Sequence, residues 1–185
     1  TEFVLSPGSN VAVNVTVVPL LNVKQELIGS MLVLENITME KRIKTTMARY
    51  MTKEVVEKLL ESGEDTLGGQ LQMASVLFSD IRNFTSLAER MGARETVLLL
   101  NEYFTRMVDS VFEYNGVLDK FIGDGLMAVF GAPFSSGEDA DRAVKTGVDM
   151  MRVLVDYNQQ RIRQSHSAID IGIGISTDEV VSGNI

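Results

Sequence analysis

Two stretches of the sequence decide the fold and carry its candidate chemistry. Residues 74–85 read Ala-Ser-Val-Leu-Phe-Ser-Asp-Ile-Arg-Asn-Phe-Thr, and residues 116–131 read Gly-Val-Leu-Asp-Lys-Phe-Ile-Gly-Asp-Gly-Leu-Met-Ala-Val-Phe-Gly. Each contains an apolar run of strand character that breaks at an aspartate, Asp80 in the first and Asp124 in the second. A carboxylate at the end of a buried strand is costly unless something compensates it. If neighbouring strands bring these two together, they predict a site for Mg²⁺ or Mn²⁺, which prefer oxygen ligands.

The composition is that of a globular protein and excludes several classes of function. The 185 residues are 45% hydrophobic and 23% charged, which is enough to form a core. A formal net charge of −8 argues against a protein that binds nucleic acid through its phosphates. The absence of cysteine excludes disulfides, thiolate metal sites and a cysteine nucleophile. No apolar run is long enough to span a bilayer and no signal peptide is recognisable, so we expect a cytoplasmic protein.

The first part of the chain has the pattern of a hairpin. Residues 10–18 alternate valine with small or polar residues, and residues 27–34 form a second strand-like run. Residues 35–42, Glu-Asn-Ile-Thr-Met-Glu-Lys-Arg, resemble the end of PAS sensor domains, with Asn36 in place of the usual aspartate. We therefore expect residues 1–37 to be the C-terminal part of a PAS-like sensor; the alternative is any antiparallel hairpin that leads into a helix.

Residues 38–70 are expected to be a helical linker. Thr38 is a candidate N-cap, and residues 62–69 break the pattern, which places a domain boundary near residue 70. The expected partner of the apolar stripe is the same segment of a second copy, although packing against its own domain is an alternative. The stripe recurs every three or four residues at Met39, Ile43, Met47, Tyr50, Val55, Val56, Leu59 and Leu60.

The rest of the chain alternates strands and helices. Strand patterns lie around residues 76–78, 118–122, 126–130 and 169–175, with a further strand opening at Val180, and helical patterns cover residues 83–89, 94–114 and 138–161. This βαββαβ order predicts an α+β fold with a ferredoxin-like sheet and helices on one face. The expected core side of the two long helices comprises Val97, Leu100, Tyr103, Phe104, Met107 and Val111 on the first and Ala143, Val144, Val148, Met151 and Leu154 on the second.

Residues 78–85, Phe-Ser-Asp-Ile-Arg-Asn-Phe-Thr, and residues 120–125, Lys-Phe-Ile-Gly-Asp-Gly, carry a resemblance. They are similar to the catalytic domain of class III nucleotidyl cyclases, closest to the bacterial and cyanobacterial adenylate cyclases, over residues 71–185. The resemblance implies conversion of ATP to 3′,5′-cyclic AMP and pyrophosphate at a homodimer interface, with two Mg²⁺ or Mn²⁺ ions per site. It also implies Asp80, Asp124 and the Ile81 carbonyl as metal ligands.

The same resemblance suggests residues that contact the substrate. The amides of residues 81–85 open a helix and would bind phosphates there, which makes Asn83, Phe84 and Thr85 candidates, together with Gly123 in the glycine-flanked turn. A lysine at position 120 implies recognition of adenine, because its ammonium donates to the N1 acceptor, which guanine lacks. Guanylate cyclases typically carry a glutamate there. Since the family builds its site between two copies, Lys120 would serve the partner's site.

Some residues have an ordinary structural interpretation. His166 is expected in a loop, Gly172 and Gly174 inside a strand, and Ser79 has no evident base that would make it a nucleophile. The family's transition-state asparagine and arginine lie in a segment after the strand that opens near Val180, whereas this sequence ends at Ile185. We therefore expect a fragment that is inactive, or nearly so, by itself and a catalytically active parent.

Other function classes compete with the adenylate cyclase. A guanylate cyclase or a diguanylate cyclase would share the sheet and the paired carboxylates, but Lys120 and the absence of a Gly-Gly-Asp-Glu-Phe-like run argue against both. The remaining alternative is a non-catalytic module that dimerises or senses nucleotides.

Overall fold

A computed structural model describes residues 2–5, 9–62 and 70–182. The chain divides into two compact units, Thr1–Arg49 and Tyr50–Ile185. The first contains a three-stranded sheet and the second a four-stranded sheet, and every strand pair is antiparallel. The predicted mixed class of helices and antiparallel strands is confirmed. No helix in the described ranges has the length and apolar character needed to cross a membrane.

The N-terminal unit is a sheet followed by one helix. Its strands are β1 (Glu2–Leu5), β2 (Ser9–Leu21) and β3 (Leu27–Asn36), in the order β1-β2-β3. The predicted hairpin is present as β2 and β3, paired over most of their length, and β1 is an additional strand that the sequence pattern did not indicate. Helix α1 (Thr38–Met47) follows β3 directly.

The predicted N-cap role of Thr38 is wrong. Thr38 is the first residue of α1, and the N-cap position belongs to Ile37, whose side chain makes no capping bond. The Thr38 hydroxyl instead donates to Asn36 Oδ1 at 2.7 Å and accepts from the Ala12 amide at 3.0 Å. A hydroxyl bonded to strand β2 is not free to cap its own helix, so Thr38 joins the end of the hairpin to the start of α1.

The helical linker expected over residues 38–70 is not one continuous helix, because two helices, α1 and α2 (Lys53–Ser62), lie there. Between them, the carbonyl of Tyr50 accepts a hydrogen bond of 2.7 Å from the amide of Leu118, at the start of a later strand. This long-range bond replaces a helical one, and local periodicity cannot reveal it. Residues 63–69 of the predicted break lie outside the described residues.

The C-terminal unit begins with α2 and continues through four strands and three further helices. The elements are β4 (Gln70–Ile81), α3 (Phe84–Met91), α4 (Ala93–Glu113), β5 (Val117–Ile122), β6 (Gly125–Phe130), α5 (Asp139–Arg163) and β7 (Ile171–Ser182). The sheet order is β5-β6-β4-β7, so β4 lies inside the sheet and pairs with β7 along its whole length. The further strand expected at Val180 is wrong, because β7 continues through that residue.

The two faces of the four-stranded sheet differ. On β4 the side chains of Ser75, Leu77, Ser79 and Ile81 are buried, and the apolar ones belong to one core cluster with residues of α4 and α5. Phe78 and Asp80, between them, are exposed. Because successive strand residues point to opposite faces, Phe78 and Asp80 lie on the face away from the helices. We call this the open face.

The predicted core sides of the long helices need correction. On α4, Val97 is exposed and Leu99 is buried. On α5, Ala143 and Leu154 are buried as predicted, but Val144, Val148 and Met151 are exposed. The small residues Thr146 and Gly147 lie inside instead, and a Cβ on Gly147 would be 3.4 Å from Ile175. Helix α5 therefore approaches the sheet closely at Thr146 and Gly147, while Val144, Val148 and Met151 are left outside.

Candidate active site

Asp80 and Asp124 meet at one end of the sheet. Asp80 is the second-last residue of β4, and Asp124 lies in the turn between β5 and β6. The amide of Ile81, next to Asp80, donates to Asp124 Oδ2 at 3.2 Å. A Cβ added to Gly125 would lie 3.6 Å from the Cβ of Asp80. The proximity expected from the two strand ends is thus present, while the role of the two carboxylates as metal ligands stays a prediction.

The turn that carries Asp124 depends on its two glycines. Gly123 has φ +63°, in the left-handed region that favours glycine, as the sequence predicts for a tight hairpin. A Cβ on Gly125 would lie 3.0 Å from the Ser79 carbonyl oxygen and 3.3 Å from that of Ile122. The absence of a side chain at Gly125 therefore lets β6 approach the end of β4 closely, which places Asp124 beside Ile81.

Beneath the two carboxylates lies a buried polar pair. The Ser79 hydroxyl and the Tyr103 hydroxyl are 2.9 Å apart, and Tyr103 on α4 is 0% exposed. The pKa of Tyr103 is raised to about 12. Burial is the main cause, the negative charges of Asp80 and Asp124 act in the same direction, and the bond to Ser79 acts in the opposite one. The periodicity of α4 predicts Tyr103 in the core, but nothing in the sequence indicates its bond to Ser79.

Three of the predicted substrate-binding residues lie where the loop after β4 leads into α3. Asn83 is the N-cap residue of α3 in the left-handed region (φ 55°), without a capping side-chain bond, and Thr85 is exposed in the first turn. Phe84 packs its half-buried side chain against the core, so only its backbone amide is suited to a phosphate. First-turn amides lack acceptors within their own helix.

The predicted amide cradle is smaller than residues 81–85. The amide of Ile81 donates to Asp124, and the amide of Arg82 donates to the Asp170 carbonyl at 2.8 Å. Both are therefore already bonded, which leaves the amides of residues 83–85 as the candidates for phosphate binding.

Lys120 is placed on the open face by a β-bulge. Leu118 pairs with Ala128 and Lys120 with the next residue of β6, Met127. Strand β5 therefore has one extra residue, Asp119, at this point. Leu118 is buried, and simple alternation would send Lys120 to the same face. The bulge turns it instead toward the face of Asp80. Its side chain is 60% exposed and lies 3.1 Å from Asp119, an exposed ion pair that contributes little to stability.

The donor set at Asp80 and Asp124 suits a hard divalent cation. Two adjacent carboxylates offer oxygen ligands, and neither takes part in an ion pair within the described part of the chain. No group of three or more His, Cys, Asp or Glu side chains that could hold a metal occurs in residues 2–5, 9–62 and 70–182. The remaining ligands of a cation here would be carbonyls, waters or substrate phosphates.

The minor residues lie where the sequence predicts. His166 is in the loop after α5, and Gly172 and Gly174 lie inside β7. Gly172 permits close packing, since a Cβ there would overlap the guanidinium of Arg82, whereas the space at Gly174 is empty.

Comparison with known proteins identifies similar sequences. The family described as "Adenylate and Guanylate cyclase catalytic domain" matches residues 69–185. An uncharacterized protein of Mycobacterium tuberculosis is 33% identical over 151 residues, covering 82% of this chain and 25% of that protein. The terminal-differentiation specific adenylate cyclase of Dictyostelium discoideum is 32% identical over 145 residues, covering 76% of this chain and 7% of that protein. The chain thus spans a quarter or less of the length of these relatives.

Two solved structures are similar to this chain, one described as a guanylyl cyclase and the other as an adenylyl cyclase. The guanylyl cyclase Cya2 is 44% identical, with a TM-score of 0.61 over 64% of this chain and 60% of that chain. The adenylyl cyclase CyaB from P. aeruginosa is 37% identical, with a TM-score of 0.62 over 64% of this chain and 62% of that chain.

Proposed function

Because the chain belongs to the adenylate and guanylate cyclase catalytic domain family, we propose that it contributes the catalytic site of an adenylate cyclase. In this reaction the ribose 3′-oxygen of ATP attacks the α-phosphorus, the bond to pyrophosphate breaks, and the 3′-hydroxyl proton is lost. The observation that carries the proposal is the contact of Asp124 with the Ile81 amide, which holds both carboxylates at one end of the open face.

Each residue of the site has a proposed task. A divalent cation held by Asp80, Asp124 and the Ile81 carbonyl would lower the pKa of the 3′-hydroxyl and neutralise the leaving pyrophosphate. The first-turn amides at residues 83–85 bind phosphate oxygens. Gly123 gives the turn its positive φ and so keeps Asp124 in place.

Lys120 supports ATP as the substrate. The bulge in β5 points it to the open face, where an ammonium can donate to adenine N1. Its Cα lies two strands away from that of Asp80 in the sheet order, so we propose that it reads the base in the partner's site. The second candidate is a guanylate cyclase, which the 44% identity to the guanylyl cyclase Cya2 favours.

We further propose that the site forms in a homodimer with a ferredoxin-like core. The sheet order β5-β6-β4-β7 supports that core. The open face carries exposed apolar side chains beside the site, Phe78 and Ile122 among them, that a second copy could cover around a two-fold axis. We also propose that residues 1–37 are part of a PAS-like sensor and that residues 38–70 transmit its signal. The sensor would regulate activity by changing how the two catalytic units of the dimer pack together.

The test is a comparison of ATP and GTP turnover by the full-length gene product with Mn²⁺. We expect 3′,5′-cyclic AMP and pyrophosphate from ATP, with a clear preference over GTP. Lys120→Glu should lower the ratio of the two kcat/KM values by about tenfold or more, because a carboxylate cannot donate to adenine N1 but can accept from guanine N1–H.

Lys145→Glu, on the exposed surface of α5, is the matched control and should leave the ratio unchanged. An unchanged ratio in Lys120→Glu would remove Lys120 from base recognition. A preference for GTP in the wild type would favour the guanylate cyclase. If neither cyclic AMP nor cyclic GMP forms, a non-catalytic module is favoured.

A further inference from the structure

Arg82 comes two residues after Asp80 and has no role in the site described so far. It follows β4 directly, and its amide is fixed by the 2.8 Å bond to the carbonyl of Asp170, next to β7. Its side chain is exposed. The backbone of Arg82 is therefore held between the ends of two strands, while its guanidinium is open to solvent.

The guanidinium of Arg82 lies over Gly172 on the open face. A Cβ added to Gly172 would be 2.6 Å from Arg82 Cζ and 2.9 Å from Nε, so a side chain there would have to displace the guanidinium. Gly172 pairs directly with Asp80. Opposite residues of an antiparallel pair project to the same face. The guanidinium thus occupies the place of a Gly172 side chain, in the same cross-strand row as Asp80.

The guanidinium lies in the same cross-strand row as Asp80, but it forms no ion pair with Asp80 or Asp124. None of the ion pairs within residues 9–62 and 70–182 includes Arg82, and its side chain makes no hydrogen bond there. Arg161, by comparison, is buried and donates to the carbonyl of Ser167. All five N–H donors of Arg82 are consequently available to a ligand.

We propose that Arg82 is a substrate-binding residue whose guanidinium contacts the polyphosphate of the nucleoside triphosphate. The planar fork of a guanidinium matches phosphate oxygens in a bidentate way. A polyphosphate that approaches Asp80 and Asp124 meets two negative charges, and the positive charge of Arg82 in the row of Asp80 offsets their repulsion. This inference rests on the proposed function, since it assigns a residue for the substrate of that site.

The first test measures binding of inorganic tripolyphosphate to the full-length gene product by calorimetry at fixed Mn²⁺. Arg82→Gln should weaken binding by about tenfold or more, because a charge-assisted bidentate contact is lost. Arg82→Lys keeps the charge but not the planar guanidinium, so its affinity for tripolyphosphate should lie between those of the wild type and Arg82→Gln. Arg90→Gln, in the last turn of α3, is the control and should bind as the wild type does.

The second test uses the glycines of β7. Gly172→Ala should displace the guanidinium and weaken tripolyphosphate binding, whereas Gly174→Ala, with nothing within 4 Å of its Cβ, should not. In the Arg82→Gln background, Gly172→Ala should add no further loss. An equal loss in both backgrounds would show that Gly172 acts through β7 itself and would contradict the placement of the guanidinium.

The inference is overturned if Arg82→Gln, folded as judged by its thermal transition, binds tripolyphosphate as tightly as the wild type, or if the wild type does not bind it. Tripolyphosphate has no ribose and cannot cyclise. A failure to form cyclic product from ATP or GTP therefore overturns the proposed function alone, while an effect at Arg82 on this probe is judged separately.

Discussion

Asp80→Asn and Asp124→Asn should each lower cyclase turnover by about a hundredfold or more, even at saturating Mn²⁺. Each substitution removes one negative charge from the carboxylate pair but keeps the shape of the side chain. In Asp124→Asn the amide oxygen can still accept the bond from Ile81, so the turn should keep its structure. The measurement is the rate of cyclic nucleotide formation by the full-length gene product.

Asp109→Asn, on the exposed surface of α4, is the matched control and should retain wild-type turnover. It separates a loss of the carboxylate pair from a general effect of lowering the negative charge. If Asp80→Asn or Asp124→Asn kept more than a few per cent of wild-type turnover, the two carboxylates would not be the metal ligands of the reaction.

Tyr103→Ala should lower the free energy of unfolding of the C-terminal unit by about 3–5 kcal/mol, because it leaves a cavity in the core beneath the site. Tyr103→Phe keeps the ring and should cost about 1 kcal/mol, since it leaves the Ser79 hydroxyl without its partner. Chemical denaturation measures both changes. Tyr50→Ala, at a half-exposed ring, is the control, and its loss should be clearly smaller than that of Tyr103→Ala.

Because the pKa of Tyr103 is raised, Tyr103→Phe should also change how the free energy of unfolding depends on pH. The folded state holds this proton up to a pKa of about 12, above the ordinary value of 10.0. The resulting stability is fully present below pH 10 and is lost as the pH rises toward 12. Tyr103→Phe should remove this part of the alkaline loss. An identical pH dependence in Tyr103→Phe and the wild type would contradict the burial of a protonated Tyr103.

The convergence of Asp80 and Asp124 could be predicted because each signal is local. An apolar run that ends in an aspartate fixes where β4 ends, and the two glycines around Asp124 fix a tight hairpin. The antiparallel pairing of β4 with β6 then brings both to one end of the sheet. A short stretch of sequence contains each of these steps.

The features that the sequence did not reveal depend on contacts between distant segments. The bulge that turns Lys120 to the open face arises from the pairing of β5 with β6, and residues 117–122 alone predict only a short strand. The side of α5 that faces the sheet is decided by Gly147 against Ile173 and Ile175, whereas its apolar pattern favours a neighbouring stripe. No sequence pattern indicated a role for Arg82, because its position over Gly172 follows from the register of β4 with β7.

The shared site is the central claim, and mixing two inactive variants tests it most directly. Full-length Asp80→Asn and Lys120→Ala, each nearly inactive alone, are allowed to exchange subunits. If Asp80 serves the site together with Lys120 of the other copy, each mixed dimer holds one intact site, and an equimolar mixture should regain about a quarter of wild-type activity. If the mixture stays inactive although subunit exchange is demonstrated, the two residues do not combine across a dimer and the shared-site account is wrong.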